Sequence, residues 1–79
     1  MKQNLFSIKD TVSGLFCSPF IQTNESVAKR TFDFMLNDQN NDLSKHPQDY
    51  QLYRVGFFDD ETCVVESNVE FIKAGVKSE

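Results

Sequence analysis

One stretch of this sequence repeats its apolar residues at a helical period, and the segments on either side of it read as strands. Between residues 24 and 37, Val27, Ala28, Thr31, Phe32, Met35 and Leu36 form a stripe. Ser26, Lys29, Arg30, Asp33 and Asn37 fall on the other side, with Phe34 at the margin. Asn24 or Thr23 caps the start, and Glu25 places a negative charge in the first turn. The helix stops in Asn37-Asp38-Gln39-Asn40-Asn41-Asp42, a run too polar to pack and rich in turn formers. One helix covers one face of a sheet. Any sheet built by the remaining residues therefore has a second face to account for.

Residues 2–9 (KQNLFSIK) are compatible with a strand, Phe6 and Ile8 on one face and Leu5 and Ser7 on the other. Asp10 to Gly14 reads as a turn. Residues 15–22 (LFCSPFIQ) return as its partner, at an edge or with Pro19 turned outward, because proline donates no ladder hydrogen bond. After the helix, His46-Pro47-Gln48-Asp49-Tyr50 reads as one tight helical turn started by proline. Residues 51–58 (QLYRVGFF) alternate, with Tyr53, Val55 and Phe57 against Leu52, Arg54, Gly56 and Phe58. Asp59 to Thr62 makes a turn, Cys63 to Glu66 a return strand, and Ser67-Asn68 a break before residues 69–73. Residues 74–79 read as a frayed tail. The expectation is a single α+β domain over residues 1–79. It has a small antiparallel sheet of about four strands, in β-β-α-β-β order, with one amphipathic helix on one face.

Composition narrows the function. A chain of 79 residues buries only about 60–65% of its unfolded surface, so its core is thin and self-association is a usual supplement. No run approaches the roughly 18 apolar residues of a membrane span, and the start lacks the apolar segment of a signal peptide. The expectation is a cytosolic protein that does not contact membrane. Cys17 and Cys63 are too few for a disulfide scaffold, and with one His they cannot close a zinc site. They read as reduced, buried thiols. The net charge of −4 argues against simple duplex-DNA binding. Residues 1–37 carry four bases against three acids, whereas residues 38–79 carry four against nine, so the acid is concentrated in the second half.

No catalytic constellation is present. His46 precedes a proline in a turn, and neither cysteine has a neighbouring base or helix N-terminus to activate it. Asp59-Asp60-Glu61 lacks the alternating ligands and central glycine of a calcium loop. The three glycines are isolated, so no phosphate-cradling loop exists. The chain is expected to be non-enzymatic, without cofactor or metal.

The aromatic residues carry the functional reading. Phe6, Phe16, Phe20, Tyr53, Phe57 and Phe58 lie on strands, with Lys9 and Arg54 interspersed. Single-strand binders stack bases on sheet-borne aromatics beside such cations. Both sheet faces carry apolar side chains, so some of Leu52, Phe58, Phe16 and Phe20 must meet a second copy, another protein or nucleic acid. For single-stranded DNA, the candidates are Lys9, Lys29, Arg30 and Arg54 for phosphates and Phe16, Phe20 or Tyr53 for stacking. A homodimer through an edge strand or the uncovered face is expected. The alternative is an acidic module in which Asp59, Asp60, Glu61 and Glu66 steer the chain to a basic protein partner.

The helix Asn24-Glu-Ser-Val-Ala28-Lys-Arg30-Thr-Phe32, ending Leu36-Asn37-Asp38, precedes His46-Pro47-Gln-Asp49-Tyr50-Gln-Leu52-Tyr53-Arg-Val55-Gly56-Phe-Phe58-Asp59. Together with Ser18-Pro19-Phe20 near the start, this pattern resembles the small nonstructural proteins of gokushoviruses, single-stranded DNA bacteriophages of the Microviridae. The resemblance spans about residues 4–66, and its most specific block runs from Pro47 to Thr62. Cys63 departs from it, since the family usually has Gly after Thr, and this implies a different hairpin turn. The resemblance implies a nonstructural protein in the infected bacterial cytoplasm. Such proteins are described as DNA-binding or replication-accessory, and are likened to the factor that moves synthesis from duplex to single-stranded genomes. Viral or host replication proteins are then expected partners. It supplies no residue-level map of function.

Overall fold

The structure, a computed structural model, describes residues 1–76. Strand β1 (Lys2–Asp10) is followed by two short strands, β2 (Leu15–Phe16) and β3 (Phe20–Gln22). Helix α1 (Glu25–Asn37) comes next, then two single 3-10 turns at Asp42–Ser44 and Pro47–Asp49. Two long strands, β4 (Tyr50–Asp59) and β5 (Val65–Ala74), complete the chain. The capping residue of α1 is Asn24, whose side-chain oxygen accepts the Val27 N–H at 2.9 Å.

The sheet is antiparallel throughout, in the order β2-β1-β4-β5, and β3 continues the outer edge of β1 beyond β2. The small α+β fold with one helix is as the sequence implies, but with five strands rather than four. Residues 15–22 do run along an edge, yet they divide at residues 17–19. Pro19 has no N–H to give, and Cys17 is drawn onto β1: its N–H donates to the Ile8 carbonyl (2.9 Å) and its carbonyl accepts from Ser7 Oγ (2.7 Å). The same contacts bury Ser7, which simple alternation had placed on an open face.

The core lies between α1 and the central β1–β4 pair. Phe6, Ile8 and Leu52 meet Ala28, Phe32 and Leu36, with Phe20, Met35, Leu43, Tyr50 and Ile72 packed around them. Leu52, a candidate for the uncovered face, is therefore a core residue. It pairs with Ile8 in register, so both stand on the helix side.

Three other expectations change. Ser67-Asn68 does not end the strand, which runs on to Ala74, but its pairing slips there: Asn68 and Val69 stand opposite the single Val55 between the Gly56–Ser67 and Arg54–Glu70 pairs. The tail does not fray at residue 75. The Gly75 N–H donates to the Tyr50 carbonyl at 2.7 Å, and Gly75 is buried against Pro47; residues 77–79 of the expected tail lie outside the described residues. Cys17 and Cys63 are free but exposed, not buried. Cys63 belongs to the β4–β5 turn, where its N–H donates to the Asp59 carbonyl at 2.8 Å and its φ is +64°.

Two substitutions test this geometry. A Cβ on Gly56 would sit 1.9 Å from the Glu66 carbonyl oxygen, so the β4–β5 pair has no room for one. Gly56→Ala is expected to destabilise by about 2 kcal/mol, read as a lowered midpoint in denaturant unfolding. Cys63→Gly relieves a left-handed backbone that costs an ordinary residue roughly 1 kcal/mol. It should raise the thermal midpoint by about 4–8 °C.

Candidate nucleic-acid interface

The register that turns Phe6, Ile8 and Leu52 toward the helix turns their neighbours away from it. Lys9 pairs with Phe16 on one side and Gln51 on the other, and Ser7 pairs with Tyr53, which pairs with Phe71. Because paired residues share a face, Phe16, Tyr53 and Phe71 line up across the sheet on its open side. Ring centroids are 5.2 Å apart for Phe16 and Tyr53 and 5.6 Å for Tyr53 and Phe71, both close to edge-to-face. Lys9 Nζ stands 5.6 Å from the Phe16 centroid. The Tyr53 hydroxyl donates to Gln51 Oε1 at 3.1 Å. Phe16 and Phe71 remain 44% and 55% exposed, so the two ends of the row are open to a ligand.

The same face carries exposed Ile21, opposite Leu5, and exposed Val65, opposite Phe58. Alternation places Asp10, Asp59, Glu66 and Glu70 on the other side of their strands, so no strand carboxylate shares this face. In a chain of net charge −4, that leaves the aromatic face neutral apart from Lys9.

The structure brings together Lys9, Phe16 and Tyr53 from the sequence candidates. Phe20 opposes Phe6 in register and packs against the core, ring centroids 6.3 Å apart. Arg54 is on the helix side, where it is ion-paired with Glu70 and lies 5.5 Å from the Phe57 centroid. Lys29 and Arg30 are exposed on α1, on the opposite side of the sheet from the row. Phe71 and Gln51 belong to the site but were not among the candidates. The alternation Val69-Glu70-Phe71 is visible in the sequence, but the supposed break at Ser67-Asn68 separated it from the hairpin.

The acidic candidates are engaged within the chain. The Met1 amino group donates to Asp60 at 2.7 Å and to Glu61 at 3.1 Å, and Lys2 Nζ lies 3.1 Å from Glu66. These carboxylates, Asp60 first, raise the amino group's pKa. Asp59 Oδ1 accepts the Glu61 N–H at 2.9 Å, and this bond is the main reason its carboxyl lies below the ordinary value. Among the described residues, no group of three or more His, Cys, Asp or Glu is arranged to hold a metal ion, and no helix is long and apolar enough to cross a membrane.

The family model described as Phage ORF5 protein matches residues 3–77, nearly the whole chain. No curated protein and no solved structure matches it.

The Asp59 bond has a pH signature. A carboxyl depressed by folding contributes stability that is complete above its unfolded value, near 3.9, and is lost as pH falls through the folded value. Exchange protection of the Glu61 amide should therefore hold from neutral pH down to about 4 and fall only below it. Asp59→Asn should weaken that protection at neutral pH and flatten the acid transition.

Proposed function

We propose, for a chain that belongs to the Phage ORF5 protein family, a non-enzymatic role in viral DNA replication, or in the switch to single-stranded genome synthesis, exercised by weak binding of single-stranded DNA. The setting is the cytoplasm of a bacterium infected by a gokushovirus-type member of the Microviridae. The supporting observation is the Phe16–Tyr53–Phe71 row on the helix-free face, beside Lys9 and clear of strand carboxylates. Unpaired bases stack on the exposed parts of Phe16 and Phe71, while Lys9 meets a phosphate and Gln51 offers an amide to a base edge. Binding to viral or host replication proteins through the same apolar face is compatible with this role.

The chemistry of the face sets the character of binding. Stacking dominates and one cation serves the backbone, so affinity is modest and depends little on salt. A duplex hides its base faces and offers this surface little. The acidic-module reading is less well supported, since Asp60 and Glu61 already bond the Met1 amino group and Glu66 pairs with Lys2.

Fluorescence-anisotropy titrations with labelled single- and double-stranded oligonucleotides, at 50 and 200 mM salt, test the proposal. Single strands should be preferred, with a log–log salt slope of about −0.7 for one phosphate contact. Tyr53→Ala and Phe71→Ala should each weaken binding by roughly 5- to 100-fold. Lys29→Ala and Arg30→Ala should leave it unchanged. Absence of binding at high micromolar protein in low salt overturns the DNA reading.

A further inference from the structure

The two edges of the sheet are not equivalent. On one side, Pro19 and the break at residues 17–19 leave strands of only two and three residues. On the other, β5 offers ten residues without a proline, nearly all exposed and paired with β4 on one side only. An edge of this kind is a template for another strand. We propose that β5 pairs with β5 of a second copy, antiparallel and centred on Val69, so that two chains share one continuous sheet.

The side chains of β5 select both the occupant and the register. Pairing with β4 places Val65, Ser67 and Phe71 on its open face and Glu66 and Glu70 on its helix side; alternation through the extra residue between Ser67 and Glu70 sets Val69 with the first group and Asn68 with the second. When a strand pairs antiparallel with its own copy, matched faces require the two-fold axis to pass through a residue rather than between two. An axis at Asn68 sets Glu66 against the partner's Glu70, and an axis at Glu70 sets that residue against the partner's Glu70. Both oppose like charges. An axis at Val69 avoids this: Val69 meets the partner's Val69, Phe71 meets the partner's Ser67, and Glu70 meets the partner's Asn68. Axes nearer either end engage less of the strand. The strand is thus self-complementary in charge at one central register.

Such a dimer places both open faces on the same side of one sheet and covers neither aromatic row. It also pairs the exposed edge of a chain whose own core is small. The interface shares Phe71 with the aromatic row but involves neither Phe16 nor Tyr53, and it requires no nucleic acid.

Sedimentation of the full chain from about 1 to 500 µM, without nucleic acid, should show the mass doubling with concentration. Val69→Lys sets two ammonium groups against each other on the axis and should raise the dimer dissociation constant at least about tenfold, with an unchanged far-ultraviolet circular dichroism spectrum. In a Cys17→Ser, Cys63→Ser background, Val69→Cys should form a disulfide between copies on mild oxidation, because directly opposed strand residues are within disulfide reach. Ser67→Cys, displaced from the axis, should not. A monomeric mass throughout, or cross-linking of Ser67→Cys as readily as Val69→Cys, overturns the proposal. Oligonucleotide titrations are scored separately, so failure of either reading leaves the other measurable.

Discussion

Phe6, Ile8 and Leu52 on the central strand pair meet Ala28, Phe32 and Leu36 of the helix, and this contact is the molecule's whole fully buried apolar core among the described residues. A helix of thirteen residues is about 20 Å long, whereas ten-residue strands reach about 33 Å. The helix therefore covers one face, and only part of it. The β4–β5 hairpin runs past the helix, in a molecule measuring 43 × 23 × 19 Å. Losing the ring of Phe32 or Phe6 would cost roughly 3–5 kcal/mol, a large part of what so small a domain has.

The distribution of charge follows the same division. The sheet's carboxylates are on the helix side or at the hairpin turn, where they meet Lys2, Arg54 and the Met1 amino group; Asp33 of the helix meets Lys73. These pairs are largely exposed and each contributes little to stability. Their larger effect is spatial: an acidic chain retains one face without strand carboxylates. The aromatic row occupies that face, and its rings support one another edge to edge instead of being covered by a second layer.

Much of this could be read along the chain. The helix boundaries, its Asn24 cap and the proline-started turn at Pro47 each depend on residues within a few positions of one another. The errors share a cause as well. Residues 15–22 look like one strand until Ser7 and Ile8, about ten residues away, hold Cys17 against β1. Ser67-Asn68 looks like the end of a strand because only the pairing with β4 shows that β5 continues past the extra residue there. Gly75 looks like tail until its partner, the Tyr50 carbonyl, is known. Lys9, Phe16 and Tyr53 were legible as candidates by residue type. Their separation from Phe20, Arg54, Lys29 and Arg30 was not.

Periodicity and residue chemistry alone determined that this chain would form one amphipathic helix and an antiparallel sheet with an apolar surplus, since both depend on local spacing. Tertiary pairing decided which aromatics would serve the core and which would remain on the surface. A bulge at Val55 changes which residues of β4 share a face, and the cross-strand register turns Phe20 inward while aligning Phe16, Tyr53 and Phe71 outside. A strand's faces are set by its hydrogen-bonded neighbours, and in this chain those neighbours come from distant parts of the sequence.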